Sequence, residues 1–299
     1  MEKAGKKQLA EKRAALEEYM RALPGHAVMV AFSGGVDSSL LLAAACRAAG
    51  GKEEATEDGR RSDAGEAGKT EGKTVCAAMV RTSLHPLQDA AVAKRVAGEL
   101  GAGYLEIAVD ELQDAGIADN PPDRCYRCKK LLFSRLKEEA RKLGISAILE
   151  GSNADDVLVY RPGIRAVREL GIRSPLLELG LTKREVRVLA AEYGISVADR
   201  PSAPCLATRF PYGTRLSAER MRQVDEGERF LRSLGFYNVR LRAHGDTARI
   251  EVDRQDMGRI LEHAQEIAER IRALDFSYVA LDLEGFRSGS MDRDLPVII

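Results

Sequence analysis

The sequence predicts an α/β protein: a doubly wound parallel sheet followed by a smaller α+β domain. Three patterns carry this. Short apolar runs alternate with helical patterns through most of the chain, a glycine-rich turn joins the first run to a helix, and beyond about residue 217 the order becomes helix, strand, strand, helix, strand. Element by element, a charged amphipathic helix is expected over 6–23, then strands over 27–32, 75–80, 104–109 and 147–150. Helices are expected between them over 40–49, 86–100 and 129–143, and another over 182–193. In that last helix Thr182 and Glu185 have capping-box spacing, and Gly194 stands where a left-handed stop belongs. The later part reads as a helix over 217–234, strands over 237–242 and 248–252 around a turn at 244–246, a helix over 255–273 and a strand over 276–281. Residues 50–73 hold alanines but no larger apolar residue, and are expected to be a disordered insertion. A Pro/Gly-rich stretch at 201–214 separates the halves, placing the domains at 1–205 and 206–299.

Composition narrows the function classes. The 299 residues are 44% hydrophobic and 31% charged, which suits a water-soluble globular protein. There is no apolar run of membrane-spanning length and no signal-like N-terminus, so a cytoplasmic protein is expected. Basic and acidic residues balance at 46 each, which argues against a nucleic-acid partner because such proteins usually carry a basic surplus. Five cysteines, an odd number, suit reduced thiols, metal binding or catalysis better than disulfides.

The first chemical motif is Ser33-Gly34-Gly35-Val36-Asp37-Ser38-Ser39, between the first strand and the first internal helix. A strand, a glycine turn and a helix N-terminus make a phosphate cradle: backbone N–H groups face anionic oxygens, and glycines permit close approach. Asp37 can hold a Mg²⁺ riding on the phosphates, and Ser33, Ser38 and Ser39 can donate to them. The loop lacks the Walker ending and the dinucleotide G-x-G-x-x-G spacing, but resembles the PP-loop of the ATP pyrophosphatase superfamily. Glu150-Gly151-Ser152-Asn153-Ala154-Asp155-Asp156 falls at a second strand end, where such sheets bind ligands.

The second motif is a cysteine set: Cys125 and Cys128 in a Cys-x-x-Cys read as part of a loop over 120–128, and Cys205 in a second loop. Cys46 and Cys76 read as core residues. Three thiols admit a [4Fe–4S] cluster with one open iron, a zinc site completed by His85 or an acid, or a redox pair with a separate nucleophile.

Together the motifs resemble the ATP-dependent sacrificial sulfur transferase family, LarE. The carriers are SGGVDSS at 33–39, EGSNADD at 150–156, YRPG at 160–163, SPL at 174–176, DRPSAPCLATRFPYGT at 199–214, VRLRAHGDTARIE at 239–251 and GFRSGSMD at 285–292. The resemblance implies a PP-loop ATP pyrophosphatase (adenine nucleotide alpha hydrolase-like) fold and a cytoplasmic enzyme. Its expected activity is to adenylate pyridinium-3,5-biscarboxylic acid mononucleotide, release pyrophosphate and install thiocarboxylates for a nickel-pincer cofactor, in the maturation of lactate racemase. It implies that Ser33 to Ser39 bind ATP, that Asp155 and Asp156 support Mg²⁺ or the loop, and that Cys205 bears sulfur. The added Cys125 and Cys128 resemble the branch in which all three cysteines hold a [4Fe–4S] cluster loaded by a sulfide source. Arg209, Arg240 and Arg242 are the expected clamps for the anionic substrate. A homo-oligomer, hexameric in the family, is implied. Competing readings are a cluster-dependent tRNA thiolase, an ammonia-using amidase, and a non-enzymatic nucleotide-binding module with structural zinc.

Overall fold

The computed structural model describes residues 2–50, 73–158, 161–201 and 204–287. The expected insertion therefore lies, at 51–72, outside the described residues. In chain order the regular elements begin α1 (Glu2–Arg21), β1 (Ala27–Ala31), α2 (Val36–Ala48), β2 (Thr74–Arg81), α3 (Leu87–Glu99), β3 (Gly103–Ala108), α4 (Glu111–Asp114), α5 (Arg124–Lys142) and β4 (Ala147–Leu149). They continue with α6 (Gly163–Glu169), α7 (Pro175–Glu178), α8 (Lys183–Glu192), α9 (Ala218–Ser233), β5 (Val239–His244), β6 (Thr247–Val252), α10 (Met257–Glu262), α11 (Ala264–Arg272) and β7 (Tyr278–Leu281).

Two compact units result. The first comprises Met1–Arg81, Gln88–Ala108 and Lys129–Arg200. Its sheet is parallel throughout in the order β3-β2-β1-β4. β1, β2 and β4 are largely buried apolar runs, as helix-covered parallel strands must be, whereas the edge strand β3 is half-exposed. The core gathers Leu40, Leu41 and Leu42 of α2, Leu16 and Met20 of α1, and Val186 and Leu189 of α8. Each such side chain, fully buried, contributes roughly 1.5–3 kcal/mol. The order of connection reverses at β1, so the crevice beyond the carboxyl ends of β1 and β4 is the switch point of the sheet.

The second unit comprises Thr82–Leu87, Val109–Cys128 and Pro201–Ile299. Its sheet runs β5-β6-β7, antiparallel then parallel. Val239, Leu241 and Ala243 send one face of β5 into a core with α9 and α11. Gly227 lets α9 approach, since a Cβ there would lie 2.6 Å from Leu241 Cδ1.

The α/β class and the appended α+β sheet agree with expectation. The expected boundary at 205–206 falls within the second unit. Short early segments join that unit because they hold the Cys205 loop: Leu84 O accepts from Leu206 N at 2.8 Å, and Asn120 Nδ2 donates to Phe210 O and Pro211 O at 3.1 and 2.7 Å. Two local expectations are corrected. The helix carrying the Cys-x-x-Cys begins at Arg124, so both cysteines stand in its first turns rather than in a loop. The single helix over 255–273 is a 3₁₀ turn at Arg254–Asp256 followed by two helices broken at His263, where no Gly or Pro marks the break in sequence.

Candidate functional sites: a phosphate loop and a thiol centre

In the first unit, Phe32 N extends the β1 ladder by donating to Ala78 O at 2.8 Å, and the chain then turns through Ser33-Gly34-Gly35 into α2. Gly34 has φ +68°, and a Cβ there would meet the Ala93 backbone at 3.0 Å. No side chain caps α2, so its first N–H groups keep their donor capacity for a ligand. The loop hydroxyls are clustered: Ser33 Oγ and Ser38 Oγ lie 3.3 Å apart, and Ser38 Oγ donates to Gly35 O at 3.1 Å. Ser39 differs from expectation in placement, for its hydroxyl is wholly buried without a hydrogen-bond partner.

Asp37 is gripped from two sides. Asn153 Nδ2 donates to Oδ1 at 3.0 Å, and Lys183 Nζ donates to Oδ2. Gly151 allows the segment after β4 to pass this close, since its Cβ would stand 3.1 Å from Asp37 Cβ. Asp155 Oδ2 accepts from Lys183 N at 2.9 Å and so caps α8. Asp156 Oδ2 accepts from Asn153 N at 3.0 Å, and its Oδ1 pairs with Arg161 at 2.7 Å. The acidic pair thus shapes the loop that places Asn153 and Lys183 at Asp37.

In the second unit Cys125, Cys128 and Cys205 are all free thiols. Cys205 precedes a 3₁₀ turn over Leu206–Arg209. Burial pushes its thiol up to about 11, partly countered by the Arg124 guanidinium. Burial raises the Cys128 thiol further, helped by Glu111 and by the other two sulfurs. Arg124, 3% exposed, has Nη2 at 3.8 Å from Cys125 Sγ and Nη1 bonded to Asn120 Oδ1. Burial opposes its charge, yet the sulfurs of Cys205 and Cys125 outweigh that and hold the guanidinium protonated. Glu111 is fully buried, and neither carboxylate oxygen has a well-formed hydrogen bond. Burial and then Asp110 push its carboxyl up to about 7, against a lowering influence from Thr82. The thiols are thus flanked by a buried cation and a buried acid. Cys46 and Cys76 belong to the first unit, and burial raises both thiols.

Arg209 and Arg242 are buried against carboxylates, and Arg240 is buried beside them. Arg209, 1% exposed, donates from Nε and Nη2 to Glu228 at 2.8 and 2.9 Å and from Nη1 to Pro204 O at 2.9 Å. Burial would raise the Glu228 carboxyl, but Arg209 overrides it and holds it near 2. Arg242 donates to Glu251 and to Thr208 O, both at 2.8 Å. Arg240 lies over the Phe286 ring at 5.0 Å and donates to Val239 O at 2.7 Å; burial and the neighbouring Arg209 push it down to about 10. Arg240 and Arg242 share one buried face of β5, as period two requires. Arg209 and Arg242 are engaged here by Glu228 and Glu251.

Sequence reasoning missed Asn153, Lys183, Arg124, Glu111, Glu228 and Glu251. Lys183 carried a usable signal: it directly follows the N-cap Thr182, an end of a helix where a cation is disfavoured unless an anion waits there. Glu111, in the first turn of a helix, resembles any acid that favours such a place, and nothing in sequence shows that it is buried.

No family model matches the chain. It is 37% identical over 287 residues to the pyridinium-3,5-bisthiocarboxylic acid mononucleotide synthase of Lactiplantibacillus plantarum, covering 96% of each chain. It is 34% identical to an uncharacterized protein of Synechocystis sp., covering 89% of this chain and 92% of the other. The tRNA-specific 2-thiouridylase MnmA of Paracoccus denitrificans is 29% identical over 67% of this chain and 56% of its own. With a likeness that spans nearly its whole length, the chain belongs to the LarE family of pyridinium-3,5-bisthiocarboxylic acid mononucleotide synthases.

Proposed function

We propose that the chain is an ATP-dependent sulfur transferase that converts the carboxylates of pyridinium-3,5-biscarboxylic acid mononucleotide to thiocarboxylates. The observation that carries the ATP half is the uncapped N-terminus of α2 behind Ser33–Gly35, with Asp37 held by Asn153 and Lys183. The near full-length likeness to a synthase of the bisthiocarboxylic product carries the substrate.

A carboxylate is a poor electrophile because its oxygen leaves badly. Attack of a substrate carboxylate oxygen on the α-phosphorus of ATP forms an acyl adenylate and breaks the bond to pyrophosphate. The backbone donors of the loop, the hydroxyls of Ser33 and Ser38, and Lys183 offset the charge on the departing pyrophosphate. Asp37 is the carboxylate available to a Mg²⁺, and Lys183 must then exchange Asp37 for phosphate oxygen. Hydrosulfide adds to the acyl carbon, AMP leaves with the bonding pair, a proton is released, and a thiocarboxylate remains.

For the sulfur half, the three thiols fit a [4Fe–4S] cluster by donor chemistry: all are free, all lie in the second unit, and two of them face Arg124, which offsets thiolate charge. Among the described residues no three metal-binding side chains converge closely enough to hold a single ion. Cys125, Cys128 and Cys205 would hold the cluster, and it would supply an open iron for sulfide. Arg124, Asn120 and the Ala207 carbonyl keep the two thiol-bearing segments in register.

The test is anaerobic incubation of reconstituted protein with ATP, Mg²⁺, sulfide and the biscarboxylic nucleotide. Pyrophosphate, AMP and a product in which sulfur replaces oxygen are expected over many turnovers. Zinc without iron, with at most one sulfur delivered per chain and a Cys205 that has lost H₂S, would overturn the cluster reading and leave a sacrificial one.

A further inference from the structure

We infer that Arg200 is a positioning residue for ATP activation: held by Asp89, it locks the Gly34–Gly35 peptide so that the Gly35 N–H faces the phosphate site. The inference rests on reading the 33–39 loop as the ATP site. Arg200 Nη1 donates to Gly34 O at 3.2 Å, and Nη2 donates to Asp89 Oδ1 at 2.6 Å. Asp89 is buried and the Arg200 side chain is 25% exposed, so this ion pair is partly shielded from water. Asp89 and Ala93 stand one turn apart on the same face of α3. Ala93 is the residue against which Gly34 packs, since a Cβ on Gly34 would stand only 3.0 Å from the Ala93 backbone. The loop is therefore fixed from one helix by two contacts, one steric at Ala93 and one ionic through Arg200. The Arg200 main chain is itself anchored, because its carbonyl accepts from Arg187 Nη2 of α8 at 3.0 Å.

The consequence follows from peptide geometry. A trans peptide points its C=O and the next N–H in opposite directions. With Gly34 O turned to the guanidinium, the Gly35 N–H must turn the other way, and it faces Ser33 Oγ at 3.4 Å, on the side of the clustered loop hydroxyls. That contact is long, so the N–H is poised for a stronger acceptor such as phosphate oxygen. Glycine on both sides of a peptide resists rotation weakly. Without Arg200 the peptide can flip, presenting a carbonyl to the phosphates in place of a donor. Arg200 touches the loop backbone rather than the reacting atoms, so it acts through the Gly35 N–H, on nucleotide affinity and on the charge of the departing pyrophosphate.

The experiment measures binding of a non-hydrolysable ATP analogue with Mg²⁺, and KM and kcat for pyrophosphate release, in wild type, Arg200→Met, Arg200→Lys, Asp89→Asn and the Arg200→Met/Asp89→Asn pair. Arg200→Met is expected to weaken nucleotide binding by about tenfold to a hundredfold and to lower kcat for pyrophosphate release as well. Arg200→Lys should recover part of the loss, and the double variant should bind no worse than Arg200→Met alone. The Gly35 amide resonance should shift in the nucleotide-free variants. Nucleotide affinity within twofold of wild type in folded Arg200→Met overturns the inference. If that variant does not fold, unchanged affinity in both Arg200→Lys and Asp89→Asn overturns it equally. Wild type that binds no nucleotide would sink the ATP reading and this inference together; wild type that binds while the variants bind as well would sink this inference alone.

Discussion

The Ser33–Ser39 loop and the arginine lattice present positive charge by opposite means. At the loop, donors are backbone N–H groups and the hydroxyls of Ser33 and Ser38, with the Lys183 cation lent to Asp37. In the second unit the charges are permanent and buried: Arg209 with Glu228, Arg242 with Glu251. Dipoles cost little to leave unfilled, so they suit a polyphosphate that comes and goes. A buried guanidinium without a carboxylate costs several kcal/mol, so a lattice of them must carry its own counter-ions. The difference implies that substitutions at the loop act on turnover, whereas those in the lattice act first on folding.

The strongest break in that comparison lies at the thiols. Cys205→Ser should abolish thiocarboxylate formation while pyrophosphate release persists, read by product mass and phosphate analysis. Loss of nucleotide binding as well would make Cys205 structural. Next, Asp37→Asn should lower pyrophosphate release by about a hundredfold with the melting temperature little changed, because the residue is half-buried in the first turn of α2 and asparagine keeps its shape. Glu228→Gln should show the reverse signature. It leaves Arg209 buried and unpaired, with an expected loss of about 3–5 kcal/mol in denaturant unfolding. A stable, inactive Glu228→Gln would instead mark that pair as part of the substrate site.

Glu111 gives a pH test. Its carboxyl is raised to about 7 by burial, so the folded protein holds that proton longer than the unfolded chain. Stability from this group is complete below the ordinary carboxylate range and is lost as pH rises toward 7 and beyond. In metal-free protein, Glu111→Gln should gain on wild type across that window, by on the order of 2–3 kcal/mol at pH 8. A gap that does not change with pH would contradict the buried-acid assignment. The smallest effect is expected at Thr182→Ala, which removes the capping box that sets Lys183 at the start of α8. It should cost about 1 kcal/mol and slightly raise the KM for ATP.

Much of the first unit was legible because its signals are local. Alternation of apolar runs with helical patterns gave the parallel sheet, and the Ser33–Ser39 loop appeared where its sequence context required. The Thr182–Glu185 capping box and the left-handed Gly194 were also read correctly. What local signals do not encode is pairing at a distance. That Lys183 meets Asp37, or that Arg200 meets both Asp89 and Gly34, depends on how α3 and α8 pack against the sheet. Arg209 and Arg242 read as ligand clamps because guanidinium pairs bidentately with anions, and local signals do not encode that Glu228 on α9 and Glu251 on β6 pair with them. The start of α5 was placed too late because the Pro-Pro-Asp run before it reads as a turn, and Arg124 then opens the helix directly.

The central claim is that one chain spends ATP at the phosphate loop to place sulfur on a carboxylated pyridinium nucleotide. The most direct measurement is mass spectrometry of that nucleotide after incubation with the reconstituted protein, ATP, Mg²⁺ and sulfide, with pyrophosphate counted in parallel. Replacement of carboxylate oxygen by sulfur, one pyrophosphate for each sulfur gained, is the predicted result. Unaltered nucleotide alongside full ATP binding, or sulfur gained without pyrophosphate release, would contradict the account.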